Sequence, residues 1–381
     1  MIHSMIHTAT KTSLALLALG SLASAAPVDG HLVALRATRV HTGDGTVHEN
    51  GIVMIRDGKI VEVGREVAVS KEIPLVELEG DLSPGLVVLR DHSGAASEDR
   101  DETRTVCDTM DLAHAFDADH SEVHALTHEG ITTFVLAPSA GNLVGGLAAA
   151  VKPGAGVLAR QVFLHVDMSS SALAFNRFPT SYAGAVMELE RLFDAGEGVF
   201  GKATSGQQNV MLHAGTRAEL LRACSFAGKY GLKGSLLVGS RVGEVVETVK
   251  ASGMGVILPP RPIGADTRDD VSATRLSEAG VPIAFALDAR SNGPAALRFT
   301  VAAARRAGLS RDAAMKALTS DAARLAGVDG RVGTLQAGRD ADIVLWSGHP
   351  ADATSRVITV WIDGEQVHHD STASDEDGGD Q

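Results

Sequence analysis

The sequence predicts an α/β chain. Its centre is a (β/α)8 barrel of the TIM type, and its two ends combine into a small composite β-sandwich. Three observations carry that prediction. First, short apolar strands alternate with Ala-rich helical segments: ITTFVLAP (131–138), NVMLHA (209–214), KGSLLVG (233–239), MGVILPP (254–260) and VPIAFALD (281–288). Such alternation implies a parallel sheet covered by helices. Second, the stretch that holds them, 84–328, has 245 residues, close to the ~250 of a closed eight-fold barrel. Third, β-branched runs broken by Asp-Gly pairs occur near both ends of the chain.

Residues 1–25 come first and read as an export leader. Lys11 precedes an apolar run from Leu14 to Leu22, and Ala23-Ser24-Ala25 supplies small residues at a cleavage point. The run is shorter than the ~20 residues that span a bilayer, and this order of charge, apolar run and small residues marks a secretory signal peptide. The expected setting is periplasmic or secreted, with no membrane anchor. Residues 26–83 follow as the first half of the β domain. Within them Val53 and Ile55, then Ile60, Val61 and Val63, flank Asp57-Gly58, a hairpin signal. The barrel occupies 84–328. Residues 329–369 return to strands, ADIVLW (341–346) and VITVWI (357–362), with Asp363-Gly364 turning the second one back. The final segment, 370–381, is rich in carboxylates and reads as a disordered acidic tail.

Composition excludes several classes. The chain has 381 residues, 41 glycines, ten Phe, two Tyr and two Trp, so its core is built from small and aliphatic side chains. A net charge of −13 leaves no basic footprint for nucleic acid. Two cysteines cannot form a disulfide framework. Export would permit a Cys107–Cys224 bond, but Thr216 and Glu219 make a capping box for a helix on which Leu220, Cys224 and Ala227 share one face. Cys224 is therefore expected to be a small buried apolar residue.

Four strings, DGKIVEVG (57–64), SPGLVVLRDHSG (83–94), GITTFVLAPSAGNLVGG (130–146) and GRVGTLQAGRDADIVLWSGHP (330–350), resemble the metal-dependent amidohydrolase superfamily, and within it the exported imidazolonepropionase-like branch. The resemblance covers nearly the whole chain after the leader. It implies a hydrolase of non-peptide C–N bonds, in amides or cyclic amides, that uses one or two divalent ions such as Zn. In such a site the metal lowers the pKa of a bound water and polarises the carbonyl, and the ligands stand at the C-terminal ends of barrel strands.

This chain departs from the family's ligand set. The family carries Pro-Gly-Leu-x-Asp-x-His-x-His on the first strand. Here Pro84-Gly85-Leu86 is followed by Val88 in the place of the Asp, Arg90 in the place of the first His, and His92 as the second. Arginine stays protonated and cannot be a ligand. On the fifth strand His213 matches, whereas the sixth-strand position holds Val238, and no histidine occurs between His213 and His349. Asp288, after an apolar run, matches the eighth-strand aspartate that serves as general base, and it also suits a helix N-cap. Lys152 is a possible counterpart of the family's carboxylated lysine, an ordinary surface lysine being the simpler assignment.

The remaining features are weaker. His124 and His128 share a helix face but precede a strand, on the non-catalytic side of the barrel. Asn142, Gly145 and Gly146 follow a strand end, where bare backbone amides suit either a substrate pocket, with Arg90, or a tight turn. Two readings follow. One is a hydrolase with a reduced metal site of His92, His213 and Asp288. The other is an inactive relative, without metal, that binds a small-molecule ligand or a partner; self-association is open in both. Arg90 weighs against metal: two unit charges ~5 Å apart at a dielectric of ~20 repel by ~3 kcal/mol, and a divalent ion roughly doubles this. Arg90 is expected within hydrogen-bond reach of a carboxylate, Asp288 first.

Overall fold

The computed structural model describes residues 32–95, 99–101, 103–261 and 269–371. The leader-like residues 1–25 and nearly all of the acidic tail lie outside them. No helix among the described residues is long and apolar enough to cross a membrane.

The first half of the β domain comprises β1 (Val33–His41), β2 (Val47–Glu49), β3 (Ile52–Arg56), β4 (Lys59–Gly64) and β5 (Leu75–Pro84). Asp57 and Gly58 both have positive φ, 50° and 73°, the pair of left-handed residues that a tight two-residue hairpin requires. The barrel follows directly as β6 (Leu86–Asp91), β7 (Ile131–Leu136), β8 (Val144–Lys152), β9 (Gly156–Asp167), β10 (Val210–Ala214), β11 (Gly234–Val238), β12 (Gly255–Leu258) and β13 (Ile283–Phe285). The chain then returns to the β domain with β14 (Ile343–Trp346), β15 (Val357–Ile362) and β16 (Glu365–His369).

The two chain ends meet in one eight-stranded sheet, ordered β16-β15-β14-β5-β1-β3-β4 with β2 on β1. Where the sequence led to a composite β-sandwich, the described strands of this domain are joined in one hydrogen-bonded sheet. Strand β5 pairs in parallel with β1 and antiparallel with β14, so it fuses the halves into a single hydrogen-bonded sheet. The Asp-Gly turns of the two halves also touch. A Cβ on Gly58 would lie 2.6 Å from the Asp363 carbonyl oxygen, a distance that only glycine accommodates.

Strands β6 to β13 form the second sheet, in sequence order. Its edges come together where the Leu287 N–H donates to the Arg90 carbonyl at 3.0 Å, nearly closing a barrel. Seven strands run the same way and β8 is antiparallel to both neighbours. The expected all-parallel sheet is thus interrupted by a meander, turned through Gly154 and Gly156 at positive φ. Strand β8, VGGLAAAVK, is buried throughout. Burial on both faces has overridden the weak strand preference of its alanines.

One inward-facing residue from every strand builds the barrel's core layer: Leu89, Val135, Ala148, Phe163, Met211, Leu237, Ile257 and Ala284. Ala322, Ala323 and Ala326, from the helix Ser320–Ala326, join the same cluster. The alternate residues, such as Phe134, Leu164, Leu212, Leu236 and Phe285, face the outer helices. Side chains in a strand repeat direction every second residue, so the next inward layer toward the strands' C-terminal ends is fixed by the first. It contains His165 and His213; on β6 a register shift between Val88 and Asp91 interrupts the alternation.

Candidate functional site at the barrel mouth

His213 ends β10 directly opposite Asp167 on β9. The His213 Nδ1 atom lies 3.3 Å from Asp167 Oδ1, an ion-pair contact rather than a well-aligned hydrogen bond, since Nδ1 has no bond of good geometry. Asp167 is fully buried. Burial alone would raise its pKa, but His213, His165 and the Ser169 hydroxyl outweigh it and hold the carboxyl at about 2. Its oxygens also accept the Ser169 N–H at 2.8 Å, the Ser169 hydroxyl at 2.6 Å and the Ser171 hydroxyl at 2.7 Å. Asp167 is thus a fixed anion beneath a histidine whose side chain is 20% exposed.

A second such pair sits across the mouth. His92 Nδ1 lies 2.9 Å from Asp99 Oδ2, and Asp99 also accepts the Ser139 hydroxyl at 2.6 Å. Burial again opposes these partners and again loses, leaving Asp99 at about 2. His165 stands beside both pairs, 6.4 Å ring to ring from His213. Burial pushes its pKa down to about 3 against the pull of Asp167, so it is neutral. Gly145 leaves room for it: a Cβ there would come 2.7 Å from His165 Nδ1.

Glu219 holds the two strand ends together. Its carboxylate accepts the Gly215 and Thr216 N–H groups, both at 2.8 Å, and the Ser170 N–H at 3.1 Å; Tyr182 donates its hydroxyl to it as well. The capping box expected for this helix is present. It also ties the loop after Asp167 to the turn after His213. Cys224, on the same helix, is free and buried, as is Cys107.

Arg90 does not pair with Asp288 as expected. Its side chain is half-buried, and burial lowers its pKa against the attraction of Asp288, Asp91, Asp167 and Asp99, in that order. Its Nε is buried without a hydrogen-bond partner, and no side-chain ion pair of Arg90 within 4 Å exists among the described residues. The other three carboxylates are already engaged. Asp91 accepts the Ala289 N–H at 2.6 Å and the Ser93 N–H at 3.1 Å, while Asp99 and Asp167 hold their own donors. Asp288 has φ 51° and makes no side-chain cap bond to the short helix that follows, so the N-cap role does not describe it.

Three more expectations change on the structure. Lys152 is buried elsewhere, its Nζ bound by Asp340 at 2.8 Å, Asp342 at 3.0 Å and Asp363 at 2.7 Å. It pins the barrel to the β domain and is not brought to the mouth. Asn142 is spent internally, donating to the Asp101 and Arg104 carbonyls, both at 2.6 Å. Gly145 and Gly146 belong to β8; a Cβ on Gly146 would lie 2.6 Å from the Met110 carbonyl oxygen, so close packing of backbone explains it. Val238 is a buried residue of β11 facing the outer helices. His128 lies away from the mouth, stacked on His368 at 4.4 Å.

These residues do not fit the divalent metal that the resemblance implies. Among the described residues, no group of three or more His, Cys, Asp or Glu side chains is arranged to hold an ion, so His92, His213 and Asp288 do not converge on one. The half-buried cation Arg90 stands in the same mouth. A separate cavity of about 310 Å³, with Leu258, Phe285 and Ala304 in its wall, opens on the outward, helix-facing side of β12 and β13. It contains none of the mouth residues.

Sequence reasoning missed Asp167, Asp99 and the place of His165. The signal for two of them was present. His165 and Asp167 are two apart at the end of an apolar run, the same spacing that aligns paired ligands on one strand face.

Comparison with known proteins agrees with this architecture. The Amidohydrolase family model matches residues 245–367. Imidazolonepropionase of Maricaulis maris (strain MCS10) is 29% identical over 186 residues, 48% of this chain and 43% of that protein; the match spans less than half of the relative's length. Among solved structures, an amidohydrolase from Thermotoga maritima MSB8 superposes with a TM-score of 0.76 at 20% identity, over 89% of this chain and all of that one. Ochratoxinase of A. niger superposes with a TM-score of 0.57 at 17% identity, over 90% of this chain and 97% of that one. These two likenesses concern the fold. Residues 245–367 thus match the Amidohydrolase family, and the chain as a whole shares the fold of solved amidohydrolases.

Proposed function

We propose that this chain hydrolyses a non-peptide C–N bond, in an amide or cyclic amide of a small molecule, at the barrel mouth, and that it does so without the divalent metal of the superfamily it resembles. The observation that carries the reading is the Asp167–His213 pair beside an unneutralised Arg90. Asp167 stays ionised and orients the imidazole. His213 Nε2 has no protein partner among the described residues, and water reaches this side chain. His213 takes a proton from that water as its oxygen bonds to the carbonyl carbon, and the Arg90 charge favours the oxyanion that forms. The C–N bond then breaks, the nitrogen leaves with the proton held by His213, and a carboxylic acid remains. Asp288, uncommitted to any helix cap, accepts the substrate N–H. General-base catalysis of this kind contributes ~10²–10⁴-fold. The leader-like residues 1–25 support a periplasmic setting for the reaction.

The test is amine release from a panel of N-acyl amino acids and cyclic amides in the presence of a strong chelator. Turnover that survives chelation and falls at least ~100-fold in His213→Gln supports the reading. Turnover abolished by the chelator and restored by added Zn would sink it. The second reading, a binding protein without turnover, is favoured by the burial of His92 and gains if no member of the panel is cleaved.

A further inference from the structure

The barrel mouth holds a buried donor that lacks an acceptor, Arg90 Nε. Arg90 Nε, His92 Nδ1, His165 Nδ1 and His213 Nδ1 are all buried without a well-formed hydrogen bond. His165 is only 1% exposed. His92 Nδ1 and His213 Nδ1 face the Asp99 and Asp167 carboxylates at 2.9 and 3.3 Å, whereas Arg90 Nε has no such partner. A buried polar group without a partner is costly, and a buried charge more so. An anion that entered the mouth would relieve that cost. Arg90 is only half-buried, so such an anion has access to it.

We infer that the mouth is a carboxylate-binding site anchored by Arg90, and that the acid product of the cleaved amide binds there together with free carboxylates. The part concerning product rests on the hydrolytic reading above; the binding itself does not. The geometry favours a carboxylate because a guanidinium presents parallel N–H groups that match its two oxygens, a fit that a lysine ammonium cannot reproduce. The same interaction serves the reaction in sequence. The charge that favours the oxyanion of the intermediate next holds the carboxylate into which it collapses, so free carboxylates compete with substrate.

The experiment titrates acetate into the full chain at constant ionic strength set by chloride, with inorganic phosphate as a second probe. Thermal unfolding and calorimetry are the readouts, and neither requires turnover. Acetate should raise the melting temperature of the wild type beyond chloride, Arg90→Lys should weaken binding at least ~10-fold, and Arg90→Met should abolish it. Arg90→Met should melt no lower than wild type without ligand, since removing a buried unpaired charge is commonly neutral or stabilising. If it fails to fold, Arg90→Lys carries the test. Acetate equal to chloride on the wild type, or acetate binding retained in Arg90→Met, overturns the inference, and so does binding of phosphate without acetate. Acetate binding through Arg90 with no cleavage of any amide would refute the hydrolytic reading alone. Turnover indifferent to acetate would refute this inference alone.

Discussion

Arg90 and Asp288 attract each other more strongly than Arg90 attracts any other carboxylate, yet no ion pair joins them. They close the barrel between them: the Arg90 carbonyl accepts the Leu287 N–H one residue before Asp288. The result is a cation and an anion at the mouth of an amidohydrolase fold, neither neutralised by direct contact. That pair separates this site both from a metal centre, which needs converging neutral or anionic donors, and from a sealed structural salt bridge.

Lys152 supplies the contrast, because it is a buried cation that is fully paired. Replacing it with Met leaves Asp340, Asp342 and Asp363 without the charge that joins them. Breaking a buried pair in this way costs ~3–5 kcal/mol, so Lys152→Met should lose about that much stability in urea unfolding. A loss under ~1 kcal/mol would contradict the role assigned to it.

Acid should unfold the chain earlier than its surface charge suggests. His165 and His349 are held by burial at about 3 and about 4, below the ~6.5 of a free histidine. The unfolded state therefore binds protons that the folded state refuses, and stability is lost as pH falls from ~6.5. Asp342 acts the other way: burial raises it to about 6, so it adds stability as pH falls from 6 toward the normal carboxylate range. The two histidines outweigh Asp342, so stability falls as pH drops between 6 and 4. Unfolding free energies measured at pH 7, 6 and 5 should fall in that direction. His165→Gln should flatten the slope, and an unchanged slope would contradict the assignment.

Gly145→Ala tests how tightly β8 sets His165. The new methyl would meet His165 Nδ1 at 2.7 Å and Pro138 Cβ at 3.0 Å. Overpacking of this kind costs ~1–3 kcal/mol. It should also displace His165, seen as a shifted imidazole resonance in NMR. A variant as stable as wild type with an unmoved His165 signal would show that the site tolerates the methyl.

Much of this arrangement was legible in the sequence. The Asp57-Gly58 and Asp363-Gly364 turns, the Thr216–Glu219 capping box and the five apolar strands are local signals, and each forms where the pattern places it. That Arg90 and Val238 stand where the resembled family has histidines was also readable, since it needs the sequence alone. What the sequence concealed depends on strand direction. The run from Val144 to Asp167 is rich in Ala and Gly, and only its pairing with β7 and β10 reveals two long strands. With β9 unrecognised, Asp167 could not be placed opposite His213, nor His165 within the barrel. Lys152 misled for the same reason, since its carboxylate partners lie about 190 to 210 residues away.

The central claim is that a fixed cation, Arg90, occupies a barrel mouth whose donors do not converge on a metal. Elemental analysis of the purified protein, expressed with Zn, Fe, Mn and Ni supplied, tests this most directly. The account predicts well under one equivalent of tightly bound metal, unchanged in His213→Ala. One or two equivalents that disappear in His213→Ala would contradict it and restore the reduced metal site of His92, His213 and Asp288.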